Sequence, residues 1–324
     1  MIKIYLEKEE SIREFHYNNL CGALPGKTQN VIQLFDKYIS KFGHIRYYCE
    51  RLEFLKGKTL RNPAGFSILT AKPKELSGFI DDFEKLFPQP LTPKFVKILN
   101  CIFYYESYSK WKAYELGVKI NSNVCPYCNR SYTFIVGNDA VNGTRFEYDH
   151  FFSQEQHPYL KLSFYNLVPS CHICNANLKH TKKFCLKRNL HPYIEGFGDD
   201  ILFSIQPRSI HFINGKDGSY TVKFRKGIGA DYAKSRRSMN NVSVFRLKEL
   251  YNMHRDYIDE LIKKAQIYNA DYVDSLYSQF GGTLFADKGD IKQFITGNYL
   301  DEKNYSKRVL SKLSRDIAAE LGLV

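Results

Sequence analysis

Apolar residues recur at helical spacing through most of the first third of the chain. Between residues 28 and 55 they lie three and four positions apart, which predicts helix with a break near Gly43. Further helices are predicted over 74–87 and from Thr92 toward Leu116, where a capping residue precedes proline. Residues 2–6 alternate between apolar and polar and predict a short strand. We therefore expect a mainly helical N-terminal region.

The pattern changes between residues 121 and 190, where apolar runs become short. Runs over 131–136 and 145–150 predict two strands, joined by a turn across 137–143. A helix is expected to begin after Ser170. This segment is also rich in residue types that bind metal ions.

The remaining chain combines two strands with further helices. Strand-like runs cover 201–205 and 220–226, with turn residues between them. Helical periodicity then returns over 242–280 and again over 302–321.

Together these patterns predict an α+β fold with a small central ββα module. Mainly α-helical N- and C-terminal regions are expected to flank this module. The predicted domain boundaries are 1–120, 121–195 and 196–324.

Composition supports a folded core and a polyanionic partner. Hydrophobic residues make up 44% of the 324 residues and aromatic residues 15%, which excludes global disorder. The net charge of +13 is consistent with nucleic acid as the partner. No apolar run approaches the ~18 residues of a membrane span, and the N-terminal segment lacks the apolar stretch of a signal peptide. We expect a cytoplasmic protein with no membrane partner.

Two C-x-x-C pairs carry the clearest chemical signal in the chain. They supply four thiolates, from Cys125, Cys128, Cys171 and Cys174. Four thiolates satisfy tetrahedral Zn²⁺ and leave no open position, so the pattern predicts a structural zinc site. A redox pair would need only one C-x-x-C, and a disulfide framework is not expected in a long chain with sparse cysteines.

Asp149 and His150 lie between the two cysteine pairs and are candidates for metal binding and acid–base chemistry. His150 can act as a general base because the ordinary pKa of histidine lies near neutrality. Asp149 and Asn175 offer oxygen ligands for a catalytic Mg²⁺ or Mn²⁺. Adjacent strand residues point to opposite faces, so both side chains reach one site only at a strand end or bulge.

The order of these residues resembles the zinc-stapled branch of the HNH (ββα-metal) endonucleases. The matching residues are Cys125-Pro-Tyr-Cys128, Asp149-His150, Asn166-Leu167, Cys171-His-Ile-Cys174-Asn175 and Lys179. Asn175 stands where the founding motif has histidine, a common variant that alters the preferred metal rather than the reaction.

The resemblance implies a metal-dependent endonuclease that cleaves DNA to leave a 5′-phosphate and a 3′-hydroxyl. It also implies that Asn166 is a scaffold residue whose hydrogen bonds orient His150. The flanking regions are similar to those of bacterial HNH proteins linked to anti-phage defence, so an effector acting on phage or plasmid DNA is expected. A separate ATPase sensor would be its partner, because the chain lacks a G-x-x-x-x-G-K-[ST] loop.

A basic run follows the second cysteine pair and predicts contact with nucleic-acid phosphates. Its members are Lys179, His180, Lys182, Lys183, Lys187 and Arg188, and the predicted phosphate-binding residues among them are Lys179, Lys182, Lys183 and Arg188. The alternative is that this run is an ordinary solvated face.

Two other functions are compatible with the same residues. A zinc-stabilised nucleic-acid-binding module without catalysis would keep the cysteines and the basic surface, but it would not need Asp149, His150 and Asn175 together. A nuclease of the same fold could also act on RNA, or nick DNA within a larger machine.

Overall fold

The chain folds into helices and two small antiparallel sheets, with helical residues in the majority. This arrangement confirms the mixed α+β class predicted from the sequence. The computed structural model describes residues 1–22, 29–106, 112–137, 143–214 and 219–324.

Successive helices form the N-terminal region. They are α1 Glu9–Cys21, α2 Val31–Phe42, α3 Arg46–Thr59, α4 Pro73–Leu86, α5 Pro93–Ile102 and α6 Ala113–Ile120. The break between α2 and α3 falls at Gly43, as predicted. At the start of α5 the Thr92 hydroxyl accepts the N–H of Phe95 at 3.2 Å, which confirms the predicted cap. Helix α1 was not predicted, because its apolar face is weakly marked in the sequence.

A short hairpin and a helical turn form the central segment. Strand β1 (Glu147–His150) pairs antiparallel with β2 (Leu167–Ser170), so that Asp149 lies opposite Val168. A π-helix follows over Ile173–Lys179, with hydrogen bonds wider than those of an α-helix. The helix expected after Ser170 is therefore present in this form.

The strand predicted over 131–136 is wrong. The segment makes only isolated bridges, from Tyr132 to Val124 and from Val136 to Thr144. Its hydrogen bonds instead close the first cysteine turn, where the N–H of Cys125 donates to Ser131. The turn predicted after it falls largely on residues 138–142, outside the described residues.

The predicted strand over 2–6 is also absent, and proline explains why. The N–H groups of Ile2 and Ile4 each donate at 2.9 Å, to the carbonyl groups of Pro126 and Pro192. The two acceptors lie on different segments of the chain, and proline has no N–H to return such a bond, so no single neighbouring strand continues a ladder along this segment.

The C-terminal region contains the longer hairpin. Strands β3 (Ile201–Pro207) and β4 (Tyr220–Lys226) pair over seven positions and confirm the predicted strands. The helices that follow are α7 Tyr232–Val244, α8 Leu247–Tyr251, α9 Arg255–Ile267, α10 Ala270–Phe280, α11 Lys288–Thr296 and α12 Ser311–Glu320.

Helix α12 docks against the first cysteine turn through Asn129. The Asn129 carbonyl oxygen accepts the N–H of Leu310 at 2.7 Å, and its side-chain oxygen accepts the N–H of Lys312 at 3.1 Å. One hydrophobic cluster extends through all three predicted regions and includes Phe35, Phe151 and Leu313. The first cysteine turn is therefore held by helix α12 and by the hydrophobic core.

Among the described residues, no helix combines the length and the apolar character that crossing a bilayer requires.

Candidate metal centre and catalytic cavity

The four predicted cysteines converge, as the sequence indicated. The sulfur atoms of Cys125, Cys128, Cys171 and Cys174 all lie within 4.8 Å of one another, and only Cys171 is partly exposed. Zn–S bonds of about 2.3 Å place the sulfurs of a tetrahedral site about 3.8 Å apart. The Cys128 and Cys171 sulfurs are 3.9 Å apart, so the cluster is compatible with structural zinc.

Electrostatics also favour a cation at this cluster. Burial raises the pKa of the Cys125 thiol well above its usual range, whereas hydrogen bonds from the other cysteines lower the pKa of Cys171. Several thiolates at this spacing would repel one another strongly in a buried site, and a cation removes that cost. The backbone N–H of Arg130 also donates to the Cys128 sulfur at 3.4 Å.

An open cavity of about 460 Å³ brings together the predicted catalytic residues. Asp149, His150 and Asn175 all line it. His150 is the last residue of β1, which is the strand-end position that allows two adjacent side chains to reach one site. Asn166, the fourth predicted catalytic residue, is fully buried and does not line the cavity.

Two buried donors hold the carboxylate of Asp149. The Tyr127 hydroxyl donates to Oδ2 at 2.6 Å, and the Lys179 ammonium donates to Oδ1 at 2.8 Å. Lys179 also donates to the His150 carbonyl oxygen at 2.7 Å. Tyr127 lies within the first C-x-x-C, and Lys179 ends the π-helix that carries Cys174. Each half of the cysteine cluster therefore delivers one donor to Asp149.

The imidazole of His150 is buried, neutral and fixed in orientation. Burial lowers its pKa to about 4. Its Nε2 lies 3.0 Å from the Lys161 carbonyl oxygen, which can only accept, so Nε2 carries the proton and Nδ1 keeps its lone pair. The ring of Tyr105 packs edge-on against it, with 4.9 Å between centroids.

Asn166 is fully buried and ties down the loop after His150. Its Oδ1 accepts the N–H of Phe152 at 2.7 Å, and its Nδ2 donates to the carbonyl groups of Phe152 and Leu160. Leu160 immediately precedes Lys161, whose carbonyl binds His150. This position is suited to the scaffold role implied by the resemblance.

Glu147 is a site residue that the sequence reasoning missed. Its Oε2 accepts a hydrogen bond from Asn175 Nδ2 at 2.8 Å, and its Oε1 lies 2.6 Å from His172 Nδ1. Glu147 and Asp149 are two positions apart on a strand and share a face, which is the signal that could have identified it.

The basic run divides into two environments. Lys182, Lys183 and Arg188 are exposed, and Lys182 lines the cavity. Lys179 is only 3% exposed and is committed to Asp149 and the His150 carbonyl.

Oxygen donors suited to a divalent ion are present in the cavity. Each Asp149 oxygen accepts one hydrogen bond and retains a second lone pair, and Asn175 offers an amide oxygen. In the described parts of the chain, the cysteine cluster is the only close group of three or more Cys, His, Asp or Glu side chains. An ion here would therefore complete its shell with water or phosphate oxygens, as Mg²⁺ commonly does.

Comparison of the chain with protein-family models, with curated proteins and with solved structures finds no match.

Proposed function

We propose that this protein is a metal-dependent nuclease of the HNH type. More specifically, we propose an endonuclease that hydrolyses phosphodiester bonds in DNA. The observation that carries the proposal is the meeting of Asp149, His150 and Asn175 in one open cavity. A module that only binds nucleic acid has no need for an oriented, neutral histidine beside a carboxylate.

His150 is assigned the role of general base. Its low pKa keeps the ring neutral at physiological pH, and the Nε2–H bond to Lys161 leaves Nδ1 to accept a proton from the attacking water. The edge contact with Tyr105 and the burial of the ring restrict its rotation. Orientation of this kind lowers the entropy cost of the reaction.

Asp149 and Asn175 are assigned the role of holding Mg²⁺ or Mn²⁺. When bound, the ion supplies positive charge to the scissile phosphate and the departing 3′-oxygen. The exposed Lys182, Lys183 and Arg188 would contact backbone phosphates nearby. Structural Zn²⁺ at the four cysteines would fix the segments that deliver Tyr127 and Lys179 to Asp149.

Plasmid cleavage by the purified, zinc-loaded protein tests the proposal. Supercoiled plasmid, single-stranded DNA and RNA are each incubated with Mg²⁺, Mn²⁺ or EDTA. We expect divalent-dependent DNA cleavage that is lost in His150→Ala and kept in His157→Ala, a partly buried histidine outside the cavity. DNA binding without cleavage would favour the non-catalytic alternative, and preferential RNA cleavage would favour the RNA alternative.

A role in bacterial defence against phage is also proposed, in the cytoplasm and with a separate ATPase sensor. The support for this setting is the resemblance of the flanking regions. Expression of the wild-type chain with its partner should lower plaque formation relative to His150→Ala. Equal plaque numbers would contradict a defence role for the cleavage activity.

A further inference from the structure

Glu147 stands at the edge of the cavity and joins two side chains of the second cysteine segment. Its Oε2 accepts from Asn175 Nδ2 at 2.8 Å, and its Oε1 contacts His172 Nδ1 at 2.6 Å. Both of its oxygens are therefore engaged by groups that precede or begin the π-helix. The carboxylate is about 40% exposed, so it does not belong to the packed core.

We propose that Glu147 is a positioning residue that sets the orientation of the Asn175 amide and presents its Oδ1 as a ligand oxygen. This role rests on the proposed function, because it concerns the divalent ion that Asn175 would help to hold. Glu147 acts through Asn175 and is not itself assigned a contact with the ion.

The chemistry of an amide explains why such a partner is needed. Asn175 has one oxygen that can bind a cation and one NH₂ group that cannot, and the two are similar in size. An ionised carboxylate only accepts hydrogen bonds, so Glu147 can face only the NH₂ group. Fixing the NH₂ group on Glu147 turns the oxygen away from Glu147, and Asn175 is one of the residues that line the cavity.

His172 holds the carboxylate in place for this task. A free glutamate on a strand samples several rotamers, and each departure from the observed one would release Asn175. The contact between His172 Nδ1 and Oε1 fixes the far oxygen, so that Oε2 stays directed at Asn175. Supporting hydrogen bonds of this kind commonly tune metal affinity by 10–100-fold.

Substitution by Gln and by Ala separates positioning from direct coordination. Glu147→Gln keeps an oxygen that can accept from Asn175 but removes the negative charge. Glu147→Ala removes both. A positioning role therefore predicts that Gln rescues what Ala loses, whereas a direct ligand would need the carboxylate itself. Glu155→Ala is the matched control, because Glu155 is an exposed carboxylate that lines the same cavity.

The test measures Mn²⁺ affinity by electron paramagnetic resonance on the full-length, zinc-loaded protein. It is combined with nuclear magnetic resonance of the Asn175 side-chain amide in the absence of Mn²⁺. We expect Glu147→Ala to bind Mn²⁺ about 10–100-fold more weakly and to lose slow exchange of the Asn175 NH₂ protons. Glu147→Gln and Glu155→Ala should remain close to wild type in both measurements. If the Ala variant loses zinc, Glu147→Thr replaces it, because threonine is well suited to a strand.

Three results would overturn the inference. Equal losses in the Gln and Ala variants would show that the carboxylate itself binds the ion. Wild-type affinity in Glu147→Ala would show that Asn175 needs no such partner, while leaving the nuclease function intact. Absence of Mn²⁺ binding in the wild-type protein would reject the proposed function, and this role with it.

Discussion

The two hairpins of this molecule differ in length and in the burial of their residues. The β3–β4 hairpin pairs over seven positions, and its strands contain both buried and exposed residues. The β1–β2 hairpin pairs over four positions, and all its residues but Glu147 are buried, including Asp149 and His150. The shorter hairpin therefore buries polar side chains, whose desolvation costs free energy on folding. It also has fewer backbone hydrogen bonds between its strands to offset that cost.

Different parts of the chain support the two hairpins. Helix α12 braces β3–β4 directly, since Asp316 and Glu320 accept the N–H groups of Phe203 and Ile205 at 2.9 Å. The β1–β2 hairpin depends on side chains from the two cysteine segments, Tyr127 and Lys179. Both hairpins are therefore held from outside their ladders, the longer one by a single helix and the shorter one by side chains from two segments that also carry the clustered cysteines.

Removal of zinc should produce the largest difference in stability between the two hairpins. A structural zinc site contributes on the order of 10 kcal/mol to folding, so chelation or Cys171→Ser should unfold the central segment. Hydrogen exchange should then show loss of protection in β1 and β2, with β3 and β4 retained. Cys101→Ser, at an exposed cysteine outside the cluster, is the control and should leave protection unchanged. Equal protection of β1 and β2 with and without zinc would show that the β1–β2 hairpin does not depend on the cysteine segments.

Loss of Lys179 should have the next largest effect. Lys179→Met leaves the buried Asp149 carboxylate without its cation, and we expect a loss of about 3–5 kcal/mol in the free energy of unfolding. Cleavage should also fall, because Lys179 holds both Asp149 and the His150 backbone. Urea unfolding and cleavage assays measure the two effects.

A second buried pair provides the control for this prediction. Lys312 and Asp316 form an ion pair in α12 with almost no exposure of either side chain. Lys312→Met should lower stability by a smaller amount, because Arg315 still pairs with Asp316 at 3.1 Å, and the protein that remains folded should cleave at the wild-type rate. Equal loss of cleavage in both variants would show that Lys179 acts only through stability.

Replacement of Asn166 should have an intermediate effect. Asn166→Ala removes the partner of the Phe152 N–H and of the Phe152 carbonyl, which costs about 1–3 kcal/mol per buried group, whereas the Leu160 carbonyl keeps its bond from the Ser163 N–H. The loop that presents the Lys161 carbonyl to His150 should loosen, so cleavage should fall more than DNA binding. Asn298→Ala, at another buried asparagine that bonds a loop carbonyl, should lower stability alone. A cleavage rate unaffected by Asn166→Ala would remove its positioning role.

Charge reversal of the exposed basic residues should have the smallest effect on the fold. Lys182→Glu, Lys183→Glu and Arg188→Glu should weaken DNA binding and flatten its salt dependence without altering zinc content. Lys187→Glu provides an exposed comparison within the same run. Binding that stays constant across salt concentrations in the triple variant would identify the run as a solvated face.

The sequence indicated the four cysteines and the Asp149-His150 pair because these signals are local, whereas it missed Glu147 in the same cavity. The C-x-x-C spacing brings two sulfurs together in one turn, and Asp149 and His150 are adjacent. The burial of Lys179 could not be predicted, because its partner Asp149 lies 30 positions away and no spacing rule links them. Lys179 takes part in the resemblance to the HNH order, but no local pattern distinguishes its burial from the exposure of the lysines that follow it.

The strand errors have a similar origin. Residues 2–6 alternate between apolar and polar as a strand does. A β-ladder also requires a neighbouring segment whose N–H groups donate hydrogen bonds back to the strand. The neighbours here are Pro126 and Pro192, which have no N–H to donate. The alternation of apolar and polar residues indicates which residues face the core. Strand pairing depends instead on contacts with residues that are distant in sequence.

In the proposed function, His150 acts as the base, and Asp149 and Asn175 bind the divalent ion. The most direct test compares His150→Ala with Asn175→Ala, measuring Mn²⁺ affinity and single-turnover DNA cleavage on the same samples. Asn175 is chosen because removing Asp149 would leave Lys179 buried and unpaired. We predict that His150→Ala keeps its Mn²⁺ affinity and cleaves about 10²–10⁴-fold more slowly. Asn175→Ala should bind Mn²⁺ more weakly and regain activity at high Mn²⁺. Cleavage by His150→Ala at the wild-type rate in Mg²⁺ would contradict the account.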